Sequence, residues 1–330
     1  MEKQTQPKEN AVRAWLSLSD LAIPSSWPSV PSPCRDESHQ ATRALALDLE
    51  LMTANEVPGF NRAQFALLTG YAYPKATLER FKLCNDWHSW LFFFDDPADE
   101  QTQLGKQPAT LREYMEACLA VLRKGVLHSD PTPLERFTLD IRDRMRRVAS
   151  ETWLSRFADD VEEYLFKGTL KAAENWARGT VPDVPSYLIQ RRYDSAVYTC
   201  QDLIEISEQG LELGSDILSD PAVQMLRDLC AQVVGLSNDI FSYRKEVLVQ
   251  RNPNNLLHAL MTHRCVSLEE AIHRGIELIN ADVKRFIACE EDLCSRIGSD
   301  KSLQAYLQGL KAWMRGNVLW SQQTGRYAAA

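Results

Sequence analysis

Apolar residues recur at intervals of three and four along most of the chain, and this spacing predicts helices. Polar or proline-containing segments separate the helical stretches, and no alternating apolar run predicts a strand. No internal repeat is present. A single-domain, all-α helical bundle is the simplest fold for about ten helices with short connections. The predicted helices cover residues 35–52, 61–70, 76–96, 110–124, 133–149, 152–178, 185–209, 221–249, 267–296 and 302–323.

The first residues lack this pattern. Residues 1–33 end in IPSSWPSVPSP, where proline fixes φ and removes hydrogen-bond donors. We therefore predict a flexible, proline-rich N-terminal segment over 1–33 and one folded domain over 34–330.

The second half of helix 76–96, WHSWLFFFDD, is apolar nearly all round, which is typical of a buried central helix. Pro97 follows it directly. A proline at this position is expected to end or kink the helix.

The composition is that of a soluble globular protein, with 45% apolar and 25% charged residues. The net charge of −8 argues against a nucleic-acid partner, because binding a phosphate backbone requires a basic face. An anionic small substrate would need local cations or metal ions.

Eight cysteines are scattered through predicted helices, without a CxxC pair or zinc-like spacing. This distribution predicts buried, reduced thiols in a cytoplasmic protein. The N-terminus is polar, and no long uncharged apolar run predicts a signal peptide or a membrane span.

An acidic motif follows the apolar helix. DDPAD places Asp95, Asp96 and Asp99 where a buried helix reaches its end. Carboxylates at a helix C-terminus oppose the helix dipole, and a bound cation would offset that cost. Because Pro97 lies inside the motif, Asp95 is the favoured ligand, Asp96 the next and Asp99 the least favoured. A solvated acidic cluster is the plainer interpretation.

A second motif, NDIFSYRKE, places Asn238, Ser242 and Glu246 four residues apart on one side of a helix. Oxygen ligands of this kind suit Mg²⁺, which also takes ligands from substrate phosphates. Lys245 is either a solvated neighbour of Glu246 or a diphosphate contact. The two motifs together predict facing walls around a Mg²⁺–diphosphate cluster, while a polar helix stripe without function is the alternative for the second motif alone.

With these two motifs, the chain resembles the class I terpene synthases of the microbial, single-domain kind. That family has a DDxx(D/E) motif and a downstream NDxxSxx(K/R)E motif, which hold three Mg²⁺ ions and the substrate diphosphate. DDPAD and NDIFSYRKE match both forms. The resemblance implies the class I terpenoid synthase fold, a helical bundle with a central active-site cavity, over residues 35–327. Mn²⁺ is the alternative ion.

The resemblance also implies residues that bind diphosphate. The family has a diphosphate-sensing arginine 46 positions before the motif asparagine, which here is Arg192. Ser195 and Ala196 take the places of the effector region that follows the sensor. An Arg–Tyr pair near the C-terminus is matched by Arg326 and Tyr327.

Carbocation chemistry requires an apolar, aromatic cavity. Leu91 and Phe92 lie one turn before Asp95 on the same helix face, and Trp320 lies in the last helix. These three residues are the candidates for the cavity wall, although core packing is an equal alternative for any one aromatic residue.

The implied function is a Mg²⁺-dependent terpene cyclase, a carbon–oxygen lyase. It would ionise a linear prenyl diphosphate and cyclise the carbocation to a terpene hydrocarbon or alcohol. Farnesyl diphosphate is the favoured substrate and geranylgeranyl diphosphate the alternative. The enzyme would be a monomer or a homodimer. Two other functions stay open: a prenyl-chain-elongating synthase, which as a family carries a second DDxxD on the facing helix, and a non-catalytic helical interaction protein.

Overall fold

Helix follows helix through the described part of the chain, which comprises residues 15–99, 107–297 and 300–327 of a computed structural model; the side chains of residues 96–99 and 297 lie outside the description. These residues form helices and no strand, so the predicted all-α fold is confirmed. The α-helices are α1 (Arg35–Asp48), α2 (Val57–Ala63), α3 (Phe65–Ala72), α4 (Leu78–Asp99), α5 (Pro108–Lys124), α6 (Pro133–Met145), α7 (Glu151–Glu163), α8 (Leu170–Arg178), α9 (Val184–Asp194), α10 (Val197–Ser207), α11 (Ser215–Leu218), α12 (Pro221–Tyr243), α13 (Leu256–Arg264), α14 (Leu268–Ile297) and α15 (Lys301–Gln323).

Three of the predicted helices depart from a continuous α-helix. The helix predicted over 185–209 divides into α9 and α10 at Ser195 and Ala196, where the left-handed φ of 57° at Ala196 breaks the hydrogen-bond ladder. A π-helical turn, Tyr164–Thr169, joins α7 to α8, and a second one, Arg244–Val249, follows α12. Helix α13 was not predicted, because the proline and asparagines before it read as an end signal.

Helix α4 runs through the middle of the molecule, as its apolar sequence predicts. The Trp87 ring stacks on Trp90 with ring centroids 4.7 Å apart. Each indole N–H finds a partner on a neighbouring helix: Trp87 donates to Thr199 of α10 (3.0 Å), and Trp90 donates to Thr138 of α6 (2.7 Å). Buried tryptophans need such partners. These two bonds fix the rotation of α4 about its axis.

The N-terminal segment differs from the prediction of flexibility over 1–33. Its described part, residues 15–33, packs on the helical core, with Leu16 and Trp27 buried. The Trp27 ring meets Phe286 of α14 edge-on at 5.7 Å. The Ala22 amide donates to the Asn280 side chain (2.6 Å). Burial of apolar side chains offsets the entropy of ordering this proline-rich stretch.

All eight cysteines are free thiols, as predicted. Four of them are buried, but Cys265 is exposed. The prediction of buried thiols therefore holds for four cysteines and is wrong for Cys265.

A buried charge network lies between α7, α10 and α12. The Arg227 guanidinium contacts Asp160 (2.5 Å) and Asp202 (3.1 Å). Burial and, after it, the adjacent Asp202 carboxylate raise the pKa of Asp160 to about 7, against the opposing charge of Arg227. Because an exposed aspartate titrates near 3.9, the folded protein keeps a proton here that the unfolded chain has lost.

This proton makes stability depend on pH. Between about pH 4 and pH 7 the folded state binds more protons than the unfolded state, so this group's contribution to the free energy of unfolding falls as pH rises. The contribution is about 1.4 kcal/mol for each pKa unit that separates the two states. Asp160→Asn mimics the protonated form. We expect it to reduce the difference between the free energies of unfolding at pH 5 and pH 8, measured by urea unfolding. Asp159→Asn, at the exposed neighbour, should keep the parent slope, and an equal slope in both variants would contradict the assignment.

Candidate active site

Two connected chambers lie between α4, α9, α12 and α15. The inner chamber has mostly apolar walls and encloses about 670 Å³, open solvent at its mouth included. The outer chamber has mostly charged and polar walls. The two share one set of lining residues, Phe92, Asp95, Arg191, Asp194 and Asn238.

Helix α4 brings Asp95 to the boundary of the chambers. The Tyr164 hydroxyl, on the first π-helical turn, donates to Asp95 Oδ1 (3.1 Å). The helix does not end at Pro97 but continues to Asp99. The alternative, a kink at Pro97, stays a prediction. Helix α4 contains Asp96 and Asp99, whose side chains lie outside the described residues.

Helix α12 provides the facing wall. Asn238 and Glu246 line the outer chamber. Glu246 lies on the second π-helical turn, not on the α-helix assumed for the predicted stripe, and it accepts a hydrogen bond from Asn255 Nδ2 (3.4 Å). Ser242 lies between them in the sequence, is 1% exposed and lines neither chamber. Its Oγ has no hydrogen-bond partner among the described residues.

The arginine at the site is Arg191, not Arg192. Arg191 lines both chambers and donates from Nη2 to Asn238 Oδ1 (2.9 Å). Arg192 points away and pairs with Asp228 (2.5 Å). Successive residues of a helix are rotated by about 100°. The count of 46 positions is therefore wrong by one residue, and the side chain that it selects is turned by about 100° from that of Arg191.

Asp239 fixes the Arg191 side chain. Its carboxylate is fully buried and accepts from Arg191 Nε (2.8 Å), the Tyr187 hydroxyl (2.6 Å) and the Leu256 amide (3.0 Å). Burial raises the pKa of Asp239 to about 6, while the Arg191 charge lowers it. With Nε bound to Asp239, the two terminal nitrogens of Arg191 lie toward the chambers.

The turn between α9 and α10 lies against the inner chamber, where Ser195 and Ala196 line the wall. Asp194 precedes them and lines both chambers. Gly168 of the first π-helical turn permits this arrangement, because a Cβ there would lie 2.6 Å from the Asp194 Cα atom.

The C-terminal residues cover the outer chamber. The Tyr327 hydroxyl accepts from Asn238 Nδ2 (2.6 Å). The Arg326 guanidinium lies 4.6 Å from the centroid of the Phe92 ring, a cation–π contact. Lys245 also lines this chamber. The segment thus brings two predicted diphosphate-binding residues to the mouth of the cavity.

The three predicted cavity residues, Leu91, Phe92 and Trp320, all line the inner chamber. Phe92 stacks on Phe65 with centroids 4.0 Å apart. The Trp320 indole donates to the Ala63 carbonyl (3.0 Å), which anchors the ring at the end of α2.

Four further residues were not predicted: Tyr164, Asp194, Asp239 and His88, which lines the inner chamber. Asp239 carries a signal in the sequence, since it adjoins Asn238 within the motif. Asp194 lies three residues after Arg191, a helical spacing that becomes visible once Arg191 is chosen. Neither His88 nor Tyr164 carries a local signal, because His88 lies in the apolar helix α4 and Tyr164 on a π-helical turn that the sequence did not predict.

The donors around the outer chamber fit a hard divalent cation. Carboxylate, amide and hydroxyl oxygens are the ligands that Mg²⁺ prefers, and the unpartnered hydroxyl of Ser242 is explained if it completes such a site. Among the described residues, no three His, Cys, Asp or Glu side chains lie close enough to hold a metal by themselves. Asn238, which lines the outer chamber together with Asp95 and Glu246, would add an amide oxygen to their carboxylates.

Fold and site together define a class I terpenoid synthase, and comparison with known proteins agrees. Residues 86–285 match the family described as terpene synthase family 2, C-terminal metal binding. The chain is 32% identical over 269 residues to germacrene A synthase of Nostoc punctiforme, which covers 81% of this chain and 82% of that protein. It is 33% identical over 300 residues to (+)-T-muurolol synthase of Roseiflexus castenholzii, which covers 90% of each.

The structure of α-eudesmol synthase has the same fold, with a TM-score of 0.81 and 19% identity over 92% of this chain and 100% of that chain. The chain belongs to the terpene synthase family: it is a microbial class I terpene synthase, a carbon–oxygen lyase that acts on phosphates and uses a divalent metal. Membership decides against a non-catalytic interaction protein. None of the described helices is both long and apolar enough to cross a membrane.

Proposed function

We propose that the enzyme is a Mg²⁺-dependent sesquiterpene cyclase that converts farnesyl diphosphate to a cyclic C15 hydrocarbon or alcohol and releases diphosphate. The observation that carries this proposal is the shared wall between a polar and an apolar chamber. A prenyl diphosphate has the same division, with an anionic head and an apolar tail. We favour farnesyl over geranylgeranyl diphosphate because of one relative named above. The name of the (+)-T-muurolol synthase of Roseiflexus castenholzii describes it as cyclizing (2E,6E)-farnesyl diphosphate.

The outer chamber binds the diphosphate in this proposal. Arg191, Lys245 and Arg326 supply positive charge, and the Tyr327 hydroxyl supplies a donor. Charge-assisted hydrogen bonds from planar guanidinium groups are the strongest of these contacts. Asp239 preorganises one of them by fixing Arg191 before substrate arrives.

Asp95, Asn238, Ser242 and Glu246 would hold the metal, with Asp96 and Asp99 as further candidates on α4. Three Mg²⁺ ions are proposed, with Mn²⁺ as a substitute. Bound there, the metal supplies Lewis-acid neutralisation of the charge that develops on the leaving diphosphate.

The inner chamber shields the cation that forms. Leu91, Phe92 and Trp320 exclude water, and aromatic faces stabilise a cation by about 0.5–2 kcal/mol each. Ser195 and Ala196 follow Arg191 closely enough that a shift of the arginine on diphosphate binding would move the chamber wall. This is the role that we assign to the turn between α9 and α10.

The test is to supply geranyl, farnesyl and geranylgeranyl diphosphates to the purified enzyme with Mg²⁺, to measure diphosphate release and to identify the volatile products by mass spectrometry. We expect the highest kcat/KM with farnesyl diphosphate, cyclic C15 products, and loss of release on chelation of the metal. A higher kcat/KM with geranylgeranyl diphosphate would contradict the proposal that farnesyl diphosphate is the substrate. Longer diphosphates formed with added isopentenyl diphosphate would instead favour the elongating synthase.

A further inference from the structure

The residues that follow α15 are bound to the end of α2. Thr324 comes directly after α15, is 2% exposed and lines neither chamber. Its hydroxyl donates to the Ala63 carbonyl (2.7 Å), and the Arg62 carbonyl lies farther from it (3.4 Å). The Gly325 amide donates to the Arg62 carbonyl (2.9 Å). Two consecutive residues thus attach the C-terminal segment to one point of the helical core.

The end of α2 supplies the acceptors for these bonds. The last carbonyl groups of a helix have no partner within it, and burying such a group without a partner costs free energy. Helix α2 ends at Ala63, because the next residue, Gln64, has a left-handed φ of 52°. The Trp320 indole also donates to the Ala63 carbonyl (3.0 Å) and to the Gln64 carbonyl (3.1 Å). The end of α2 therefore presents oxygens that α15 and the segment after it satisfy.

The Thr324 hydroxyl also shapes the turn that follows it. Its oxygen accepts from the Arg326 amide (3.1 Å). A threonine hydroxyl that binds the amide two residues later closes a turn. The chain leaves this turn at the outer chamber, where the Arg326 guanidinium lies over the Phe92 ring and the Tyr327 hydroxyl accepts from Asn238. One hydroxyl thus joins the end of α2 to the backbone of a residue at the mouth of the cavity.

The neighbouring contacts are close but less directional. A Cβ on Gly325 would lie 3.1 Å from the Cβ of Arg62. The Tyr327 ring meets Trp320 edge-on at 5.8 Å and stacks on Phe241 at 6.4 Å. Because hydrogen bonds weaken steeply away from their preferred angle, the bonds of Thr324 define the direction of the segment more narrowly than these ring contacts do.

We propose that Thr324 is a positioning residue for the C-terminal pair, Arg326 and Tyr327, and that its hydroxyl holds the pair over the outer chamber before the diphosphate arrives. This inference rests on the proposed function, in which the pair binds diphosphate. Without the hydroxyl, the Arg326 amide loses this acceptor and the segment loses a bond to α2. A smaller fraction of molecules then holds the pair in place, and the apparent affinity for diphosphate falls in proportion to that fraction.

Thr324→Val removes the hydroxyl and keeps the shape of the side chain, whereas Thr324→Ser keeps the hydroxyl. The apparent affinity is measured from the melting shift as pyrophosphate is added at a fixed concentration of Mg²⁺. We expect Thr324→Val to bind pyrophosphate about 5-fold or more weakly, the loss that corresponds to one hydrogen bond, and Thr324→Ser to bind within about 2-fold of the parent.

Steady-state kinetics with farnesyl diphosphate and Mg²⁺ provide a second measurement. In Thr324→Val the KM should rise by about the same factor as the dissociation constant of pyrophosphate. The kcat should change by less than about 2-fold, because saturating substrate restores the arrangement that the hydroxyl otherwise holds. A general loss of folded structure would not produce this division between KM and kcat.

Thr132→Val is the matched control. Its hydroxyl also makes one donated and one accepted bond, to the Glu135 carboxylate (2.8 Å) and from the Glu135 amide (3.3 Å). It caps the start of α6 and lines neither chamber. We expect this variant to melt at a lower temperature than the parent, since a cap is lost, and to bind pyrophosphate within about 2-fold of it.

The outcomes separate the two levels of inference. A parent enzyme that releases no diphosphate from farnesyl diphosphate would refute the proposed function. A functional parent with unchanged pyrophosphate affinity in Thr324→Val would refute the role of Thr324 alone. Equal weakening in Thr132→Val, or a Thr324→Val protein that does not fold, would show a loss of stability rather than of position and also overturn it. So would a Thr324→Ser protein that binds as weakly as Thr324→Val.

Discussion

Arg191→Lys is expected to lower kcat/KM for diphosphate release by about 10²–10³-fold, the usual loss when one preorganised donor to a developing anion is removed. Lysine keeps the charge but not the fork of donors. In the parent protein, Asp239 binds Nε of Arg191 while Nη2 reaches Asn238 at the wall that the two chambers share, so the guanidinium is held at the site before the diphosphate binds. A single ammonium group cannot bind Asp239 and span two phosphate oxygens at once.

Arg192→Lys is the matched control, since it changes the adjacent residue by the same chemistry. Arg192 forms a half-buried pair with Asp228 and lines neither chamber, so the change should not reach the site. We expect kcat/KM within about 3-fold of the parent. Melting temperatures of both variants would show that each is folded. A larger loss in Arg192→Lys than in Arg191→Lys would restore the sensor assigned by counting positions.

Ser242→Ala is expected to separate stability from activity. Because the buried Ser242 hydroxyl has no partner among the described residues, its removal should not destabilise the fold and should stabilise it by about 1 kcal/mol, the cost of one unsatisfied polar group. If the hydroxyl is a metal ligand, the same change should weaken Mg²⁺ binding by about 10-fold or more. Urea unfolding and the melting shift on adding Mg²⁺ with pyrophosphate measure the two effects independently of turnover.

Ser237→Ala should show the opposite behaviour. This neighbouring serine is also buried, but its hydroxyl donates to the Val234 carbonyl (3.0 Å) and accepts from Asn317 (3.0 Å). Its loss should cost about 1 kcal/mol of stability and leave the melting shift with Mg²⁺ and pyrophosphate in place. A Ser242→Ala protein that is destabilised yet keeps the full shift would show that the hydroxyl is structural.

Local pattern was enough for much of the site. The apolar run before Asp95 predicted a buried helix that ends at the cavity, because a helix that is apolar on all sides must be covered on all sides. The spacing of Asn238 and Glu246 predicted a shared wall, which the outer chamber has. Leu91 and Phe92 followed from the position of Asp95 one turn later. These inferences use the period of the α-helix, although the helix that carries Asn238 does not stay α-helical as far as Glu246.

The choice between Arg191 and Arg192 needed more than the period. Periodicity gives relative angles around a helix, but the absolute rotation of α9 is set by what it packs against. Here the buried Asp239 on α12 fixes that rotation by binding Arg191 and Tyr187. The break at Ala196 is likewise invisible in sequence, because an alanine at positive φ is held by its surroundings rather than favoured by its own conformational preference.

The sequence by itself determined the all-α class, the buried central helix and the two facing motifs, since these depend on residues within a few turns of each other. Only the tertiary structure decided which arginine enters the site, that residues 15–33 join the core, and that His88 lies in the wall of the inner chamber. His88 is held there by Thr69 and Tyr73, whose hydroxyl groups contact its two ring nitrogens. Hydrogen bonds between helices have no period along the chain, and so their direction can be read only once the helices are packed.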